Sequence, residues 1–195
     1  AARRLGLRHV VLTCPTRDDL PDGGAEQFAK TVRAIRKACP GATVETLISD
    51  MKMNTAALDA VIEARPEVLN HNVETVKELQ GDVRPQADYR RSLDVLRYCK
   101  EKDGTLLTKT GFMVGLGETE EQIEVLMDDA LAAGVDILTI GQYLQPSPEH
   151  HPLARYASPE DFARYREKAL AKGFRYVASA PLARSSYKAW AALEG

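Results

Sequence analysis

The chain has 195 residues, 44% hydrophobic and 28% charged, with a net charge of −2. That composition suits one globular domain with a sizeable core and carries no basic footprint for nucleic acid; no apolar run is long enough to cross a bilayer. The three cysteines, Cys14, Cys39 and Cys99, are odd in number and widely spaced. They argue against a disulfide framework, fit a reducing compartment and leave no pair at metal-ligand spacing.

In chain order, Ala1 to Gly6 reads as the last turn of a helix stopped by glycine, without the apolar stretch of a secretory signal. His9 to Thr13 is a short β-branched strand, followed by turn-rich residues from Pro15 to Gly24. Ala25, Phe28, Ala29, Val32 and Ile35 recur at helical spacing until Cys39-Pro40-Gly41 stops them. Thr43 to Ile48 is the next strand; Leu58, Val61 and Ile62 mark a short helix, and Val68 to Asn70 a short strand. Val73, Val76 and Leu79 form another helical stripe, broken by Gly81 to Pro85. A longer helix carries Tyr89, Leu93, Leu96 and Cys99 on one face, and Leu106 to Val114 is a strand. Thr119 to Gln122 has the form of a capping box, ahead of a helix with Ile123, Leu126, Met127, Ala130 and Leu131 inward and Gly134 at its end. Asp136 to Ile140 is the fifth strand. Ser158-Pro159 opens the last helix, Gly173 closes it, and Phe174 to Ala178 is the final strand. Strand–helix alternation of this kind predicts parallel strands in one domain, either an open doubly wound sheet or a partial barrel.

Ligands of parallel α/β folds bind at the C-terminal ends of the strands. There the chain carries Asp18-Asp19, Asp22-Gly23-Gly24, Asn70-His71-Asn72-Val73-Glu74, Lys109 to Glu118, Gln142-Tyr143 and Arg184-Ser185-Ser186-Tyr187. Each has two readings. Asp22-Gly23-Gly24 is a turn or a place where backbone approaches a ligand amine. Asn70 to Asn72 is a helix entry or a binding element, and His71 a satisfied core histidine or a functional one. Asp18-Asp19 is an acid–base pair or a set of salt-bridge partners, and His150-His151 reads as loop. Lys109 stands in an otherwise apolar strand, where an ammonium needs a partner.

Taken together and in order, these strings resemble the lipoyl synthase family of radical-SAM enzymes over nearly the whole chain. The matches are Thr16 to Ala25, Leu69 to Val76, Val83-Arg84-Pro85, Lys109 to Thr119, Asp136 to Ser147 and Arg184 to Tyr187. The resemblance implies an α/β fold, a partial (β/α) barrel of the radical-SAM type lacking its first strand, with a C-terminal extension from about residue 174. It implies two 4Fe-4S clusters and S-adenosyl-L-methionine (SAM), used to insert two sulfur atoms at C6 and C8 of a protein-bound octanoyl-lysine. Implied partners are octanoylated lipoyl carrier proteins (2-oxoacid dehydrogenase E2 lipoyl domains and the glycine cleavage H protein) and an electron donor such as ferredoxin or flavodoxin, with no nucleic acid and no membrane, in the cytoplasm. Asp22, Gly23 and Gly24 correspond to the segment receiving the methionine amine of SAM, and Asn72 and Glu74 to residues near its ribose. Lys109 to Glu118 corresponds to the adenine-side wall, and Gln142 and Tyr143 to cavity-facing residues of the fifth strand. Ser185 corresponds to an iron ligand of the auxiliary cluster, steadied by Arg184, with Ser186 the second candidate.

The family's cysteine triplets, C-x3-C-x2-C and C-x4-C-x5-C, do not occur here, and Cys14, Cys39 and Cys99 do not match them. The expectation is a C-terminal portion that is inactive without a cluster-binding segment. Further departures are Ala180 in place of glycine, Lys188 in place of histidine, and the stretch Ser49 to Asn54. Competing readings are another radical-SAM sulfur-insertion enzyme, against which the terminal serine motif speaks, and a non-catalytic carrier-protein binding module.

Overall fold

A helix separates each strand from the next, and a crossover of that length returns the chain parallel to the strand it left. The computed structural model describes residues 1–186 and 189–193 and shows a six-stranded parallel sheet in sequential order. The strands are β1 (His9–Thr13), β2 (Thr43–Leu47), β3 (Val68–Asn70), β4 (Leu107–Val114), β5 (Ile137–Gln142) and β6 (Tyr176–Ser179). Between them run α1 (Ala25–Ala38), α2 (Thr55–Glu63), α3 (Gln80–Val83), α4 (Tyr89–Lys102), α5 (Glu120–Ala132) and α6 (Pro159–Lys172). A doubly wound sheet reverses strand order at a switch point; this one does not, so it is an open, barrel-like sheet, as expected.

Side chains alternate across each strand, and the two faces differ in chemistry. The outer face carries Leu69, Phe112, Val114, Leu138, Ile140 and Val177, packed under Leu58 and Val61 of α2, Leu96 of α4, Ile123 and Leu126 of α5, and Phe162 and Tyr165 of α6. Val44 packs against Ala29, Val32 and Ile35 of α1. Each buried Leu, Ile, Val or Phe contributes about 1.5–3 kcal/mol. Cys99 belongs to this core, and burial pushes its thiol up to about 12, so it is inert as a thiolate ligand.

Local signals set the helix ends. Thr119 Oγ1 accepts from Gln122 N, and Gln122 Oε1 accepts from Thr119 N at 2.8 Å, a reciprocal box at the start of α5. Ser158 and Asp161 repeat the device at α6, with Pro159 in the first turn.

Two expectations need correction. The stripe Val73 to Leu79 is not one helix. Glu74, at φ +73°, bridges to β4: its N–H donates to Gly111 O and its carbonyl accepts from Met113 N, each at 2.9 Å. Val73 and Val76 are buried as the pattern requires, but helix begins only with a 3-10 turn at Lys77–Leu79, and the break falls at Arg84-Pro85, since Gly81 lies inside α3. Residues 1–6 form one helical turn as expected, Leu5 N–H donating to Ala1 O at 3.1 Å, closed by Gly6 at φ +63°. β6 starts at Tyr176 because Phe174 turns into the helix-covered core.

Candidate functional site

The inner face of the sheet is the unusual one. Near the strands' N-terminal ends it is apolar: Val68, Leu107, Ile137 and Tyr176 pack against Ala192 and Leu193. Further along it carries Glu45, Asn70, Lys109, Gly111, Thr139 and Gly141, all buried. The chain after β6 covers this polar zone. A Cβ on Gly141 would lie 2.4 Å from Ala183 O and 2.9 Å from an Arg184 nitrogen, so only glycine lets the segment approach so closely.

Charge on this face is gathered into one network. Lys109 Nζ donates to Glu45 Oε1 at 3.0 Å, to Glu45 Oε2 at 3.1 Å and to the Ser185 carbonyl at 2.5 Å. Asn70 Nδ2 also donates to Glu45 Oε1, at 2.9 Å, and His9 Nε2 lies 3.9 Å from Glu45 Oε2. Burial lowers the pKa of the His9 imidazole, with Glu45 opposing.

Beside the network, at the ends of β3 and β4, Ser185 Oγ donates to Asn72 Oδ1 at 2.9 Å, and Asn72 Nδ2 donates to Glu74 Oε1 at 3.1 Å. Asn72, Glu74, Gly111, Met113, Thr139 and Ser185 help to line a cleft of about 60 Å³. Burial raises the Glu74 carboxyl above its ordinary pKa, opposed by Arg84, Asn72 and Arg184. Arg184 itself is exposed, and its Nη1 donates to Ala183 O at 2.7 Å.

A separate cavity of about 660 Å³ is lined by Thr16, Asp50, His71, Arg84 and Arg91 among others. Arg84 of that lining donates from Nη1 to Asn72 O at 3.5 Å. His71 is a satisfied core histidine: Nδ1 faces Ile48 O at 2.9 Å and Nε2 faces Ser92 Oγ at 3.0 Å. A carbonyl at Nδ1 demands N–H there, while the Ser92 hydroxyl at Nε2 can donate to the neutral ring; burial lowers the pKa from 6.5 and favours that neutral form. Asp22 braces the entry to α1, accepting from Gly24 N at 3.0 Å and Glu26 N at 2.9 Å, and these two N–H groups hold its pKa below the ordinary carboxylate value.

The structure therefore brings Asn72, Glu74, Lys109, Arg184 and Ser185 together, while Asp22, Gly23 and Gly24 stand at the β1 side of the sheet. Glu118 and Gln142 spend their side chains on backbone. Glu118 accepts from Gly115 N and Leu116 N at 2.8 Å each. Gln142 donates to Val114 O, Tyr143 O and Arg155 O and accepts from Ala157 N. Asp18 and Asp19 pair with Lys52 and Arg17 as salt-bridge partners, and His150 and His151 lie in a loop. Tyr187 and Lys188 lie outside the described residues.

Residues 1–130 match the model of the radical SAM superfamily. The chain is 57% identical over 189 residues to the lipoyl synthase of Rubrobacter xylanophilus, covering 97% of this chain and 59% of that protein. It is 50% identical over 194 residues to the lipoyl synthase of Alkaliphilus metalliredigens, covering 100% of this chain and 67% of that protein. The chain belongs to the lipoyl synthase family of the radical SAM superfamily. It spans about three fifths to two thirds of the length of these curated relatives. In fold it is similar to methylornithine synthase, with a TM-score of 0.64 at 17% identity over 90% of this chain and 58% of that one. It is also similar to coproporphyrinogen III oxidase of Escherichia coli, with a TM-score of 0.55 at 19% identity over 87% of this chain and 41% of that one.

The site meets a nucleoside cofactor and an iron–sulfur cluster differently. An amide beside a carboxylate, over a strand whose Gly111 leaves the floor open, suits hydroxyl groups; a Cβ there would lie 3.1 Å from Asn72 Oδ1. The separate cavity of 660 Å³ is lined by none of Asn72, Glu74 or Ser185, although its volume falls within the range of small-molecule sites. For a cluster, no three His, Cys, Asp or Glu side chains converge among the described residues, and the cysteines are scattered: Cys14 exposed, Cys39 half-buried, Cys99 buried. These residues do not by themselves fit a 4Fe-4S cluster. Reading the sequence missed Glu45. The signal for Glu45 was available: one acid in an apolar strand answers one lysine in another.

Proposed function

We propose that this chain is the nucleoside-binding, serine-bearing part of a lipoyl synthase, which inserts sulfur at C6 and C8 of a protein-bound octanoyl-lysine. The observation that carries the reading is the Asn72–Glu74 pair, 3.1 Å apart at the end of β3, with the Ser185 hydroxyl on Asn72. Asn72 and Glu74 hold the ribose hydroxyls of SAM, Glu74 as an acceptor once ionised. The Asp22-braced turn presents the backbone of Gly23 and Gly24 to the methionine end. Glu118 and Gln142 brace the loops after β4 and β5, and Lys109 stands on the strand beneath the site. Bound SAM supplies 5′-deoxyadenosyl radical chemistry. Ser185, with Arg184 beside it, would offer its side-chain oxygen as one ligand to an auxiliary cluster. Two 4Fe-4S clusters need cysteines beyond the three scattered here, so catalysis requires them from outside these residues. The partners are octanoylated carrier domains of 2-oxoacid dehydrogenases and the glycine cleavage system, and a ferredoxin- or flavodoxin-type donor, in the cytoplasm.

SAM titrated calorimetrically into the chain is expected to bind, and Asn72→Ala or Glu74→Gln to weaken binding about tenfold or more, the loss of one or two hydrogen bonds. Unchanged affinity in both variants would remove the nucleoside assignment.

A further inference from the structure

The ion pair Glu45–Lys109 is the most deeply buried one in the described chain, with the two side chains 0% and 4% exposed, and it lies among neutral groups on the inner face. A pair in such a place gives little net stability, because desolvation offsets most of the attraction. Something other than stability explains its geometry. Lys109 has three N–H donors. Two go to Glu45; the third goes out of the sheet to the Ser185 carbonyl, 76 residues away, at 2.5 Å. Glu45 is held on its other side by Asn70 Nδ2 at 2.9 Å, so β2, β3 and β4 together aim one ammonium at one peptide oxygen.

Ser185 is thereby fixed at two atoms: its carbonyl by Lys109, its hydroxyl by Asn72 at 2.9 Å. Gly141 supplies the space, since any larger side chain would strike Ala183 O. Without the ammonium the serine would keep, among the described residues, one hydrogen bond through a rotatable hydroxyl, and that bond alone sets no position for its carbonyl.

We propose that Glu45–Lys109, backed by Asn70, is a positioning device for the terminal serine segment: Lys109 sets where the Ser185 oxygen stands, and Glu45 sets where Lys109 stands. Both are positioning residues, acting through Ser185. The relevance to sulfur insertion rests on the reading of Ser185 as an iron ligand; the positioning itself does not.

The test uses the chain as it is and the Arg184–Ser185 bond as a tryptic reporter. Cleavage there tracks how often the segment leaves the sheet. Glu45→Met/Lys109→Met removes both charges at similar volume and is expected to unfold at about the wild-type denaturant concentration. Cleavage at Arg184–Ser185 should nevertheless rise about ten- to hundredfold, the factor corresponding to a hydrogen bond from a charged donor. Cleavage at Arg90–Arg91, on α4, should not change. If the double variant does not fold cooperatively, Glu45→Gln/Lys109→Met serves by the same criterion, since it leaves no buried charge and no ammonium for the carbonyl. Wild-type cleavage at Arg184–Ser185, or equal acceleration at both bonds, overturns the proposal. A Ser185→Ala variant that still forms lipoyl groups in a cluster-bearing form would overturn the ligand reading and leave the positioning result standing.

Discussion

On β4, Phe112 and Val114 lie under the helices while Lys109 and Gly111 face the other way, and the same split runs across the sheet. One face is hydrocarbon locked against α2, α4, α5 and α6. Toward the C-terminal ends of the strands the other is an ion pair, amides and glycines covered by a single returning segment. A face that served only stability would be apolar on both sides, as in parallel sheets buried throughout. The inner face departs from that at the C-terminal ends of the strands, where parallel folds bind ligands.

The comparison is tested most severely by breaking each face at one residue. Lys109→Met strands the Glu45 carboxylate and is expected to cost about 3–5 kcal/mol in urea unfolding, with most of it recovered when Glu45→Met is added. Leu138→Ala on the outer face opens a cavity costing about 2–5 kcal/mol, and no second charge removal restores it. Equal, unrescued losses on both faces would erase the distinction.

A smaller effect comes from pH. The folded His71 has a pKa below 6.5, so the unfolded chain takes up a proton first as pH falls. Stability from this residue is complete above about pH 6.5 and declines below it, toward the folded value. Urea midpoints at pH 7.5 and 5.5 should differ in that direction. The gap should shrink in His71→Gln while the share of His9, lowered for the same reason, remains. A gap unchanged in His71→Gln would mean that the ring is not held neutral.

The smallest concerns a helix that serves the outer face alone. Thr119→Ala removes half of the α5 capping box and should lower stability by about 1 kcal/mol without moving SAM affinity. A change in affinity would show that the two faces are coupled through α5.

The outer face was largely legible from the amino-acid sequence. Its strands and helices repeat at 2 and 3.6 residues, and β1, β3 and the α5 and α6 caps fall where those signals put them. The segment Val73 to Val76 misled because an apolar i, i+3 pattern also fits buried residues in extended backbone, and Glu74 carries that backbone into the sheet. The inner face was legible only in part. Polar and glycine residues at the strand ends marked the mouth, and Lys109 signalled a missing partner. Glu45 stands 64 residues from Lys109, and Asn72 stands 113 from Ser185; no periodicity records contacts at such separations. The motif Arg184 to Tyr187 stood out only by family resemblance, because a polar tail has no pattern of its own.

The central claim is that the inner face near the ends of β3 and β4 is a nucleoside site and the outer face is not. Amide NMR spectra of the chain titrated with SAM read both faces at once. The expected result is saturable shifts at Asn72, Glu74, Gly111 and Gly141 with Val114, Ile140 and Val177 unmoved. Shifts centred on the outer-face residues, or none at saturating ligand, would contradict it.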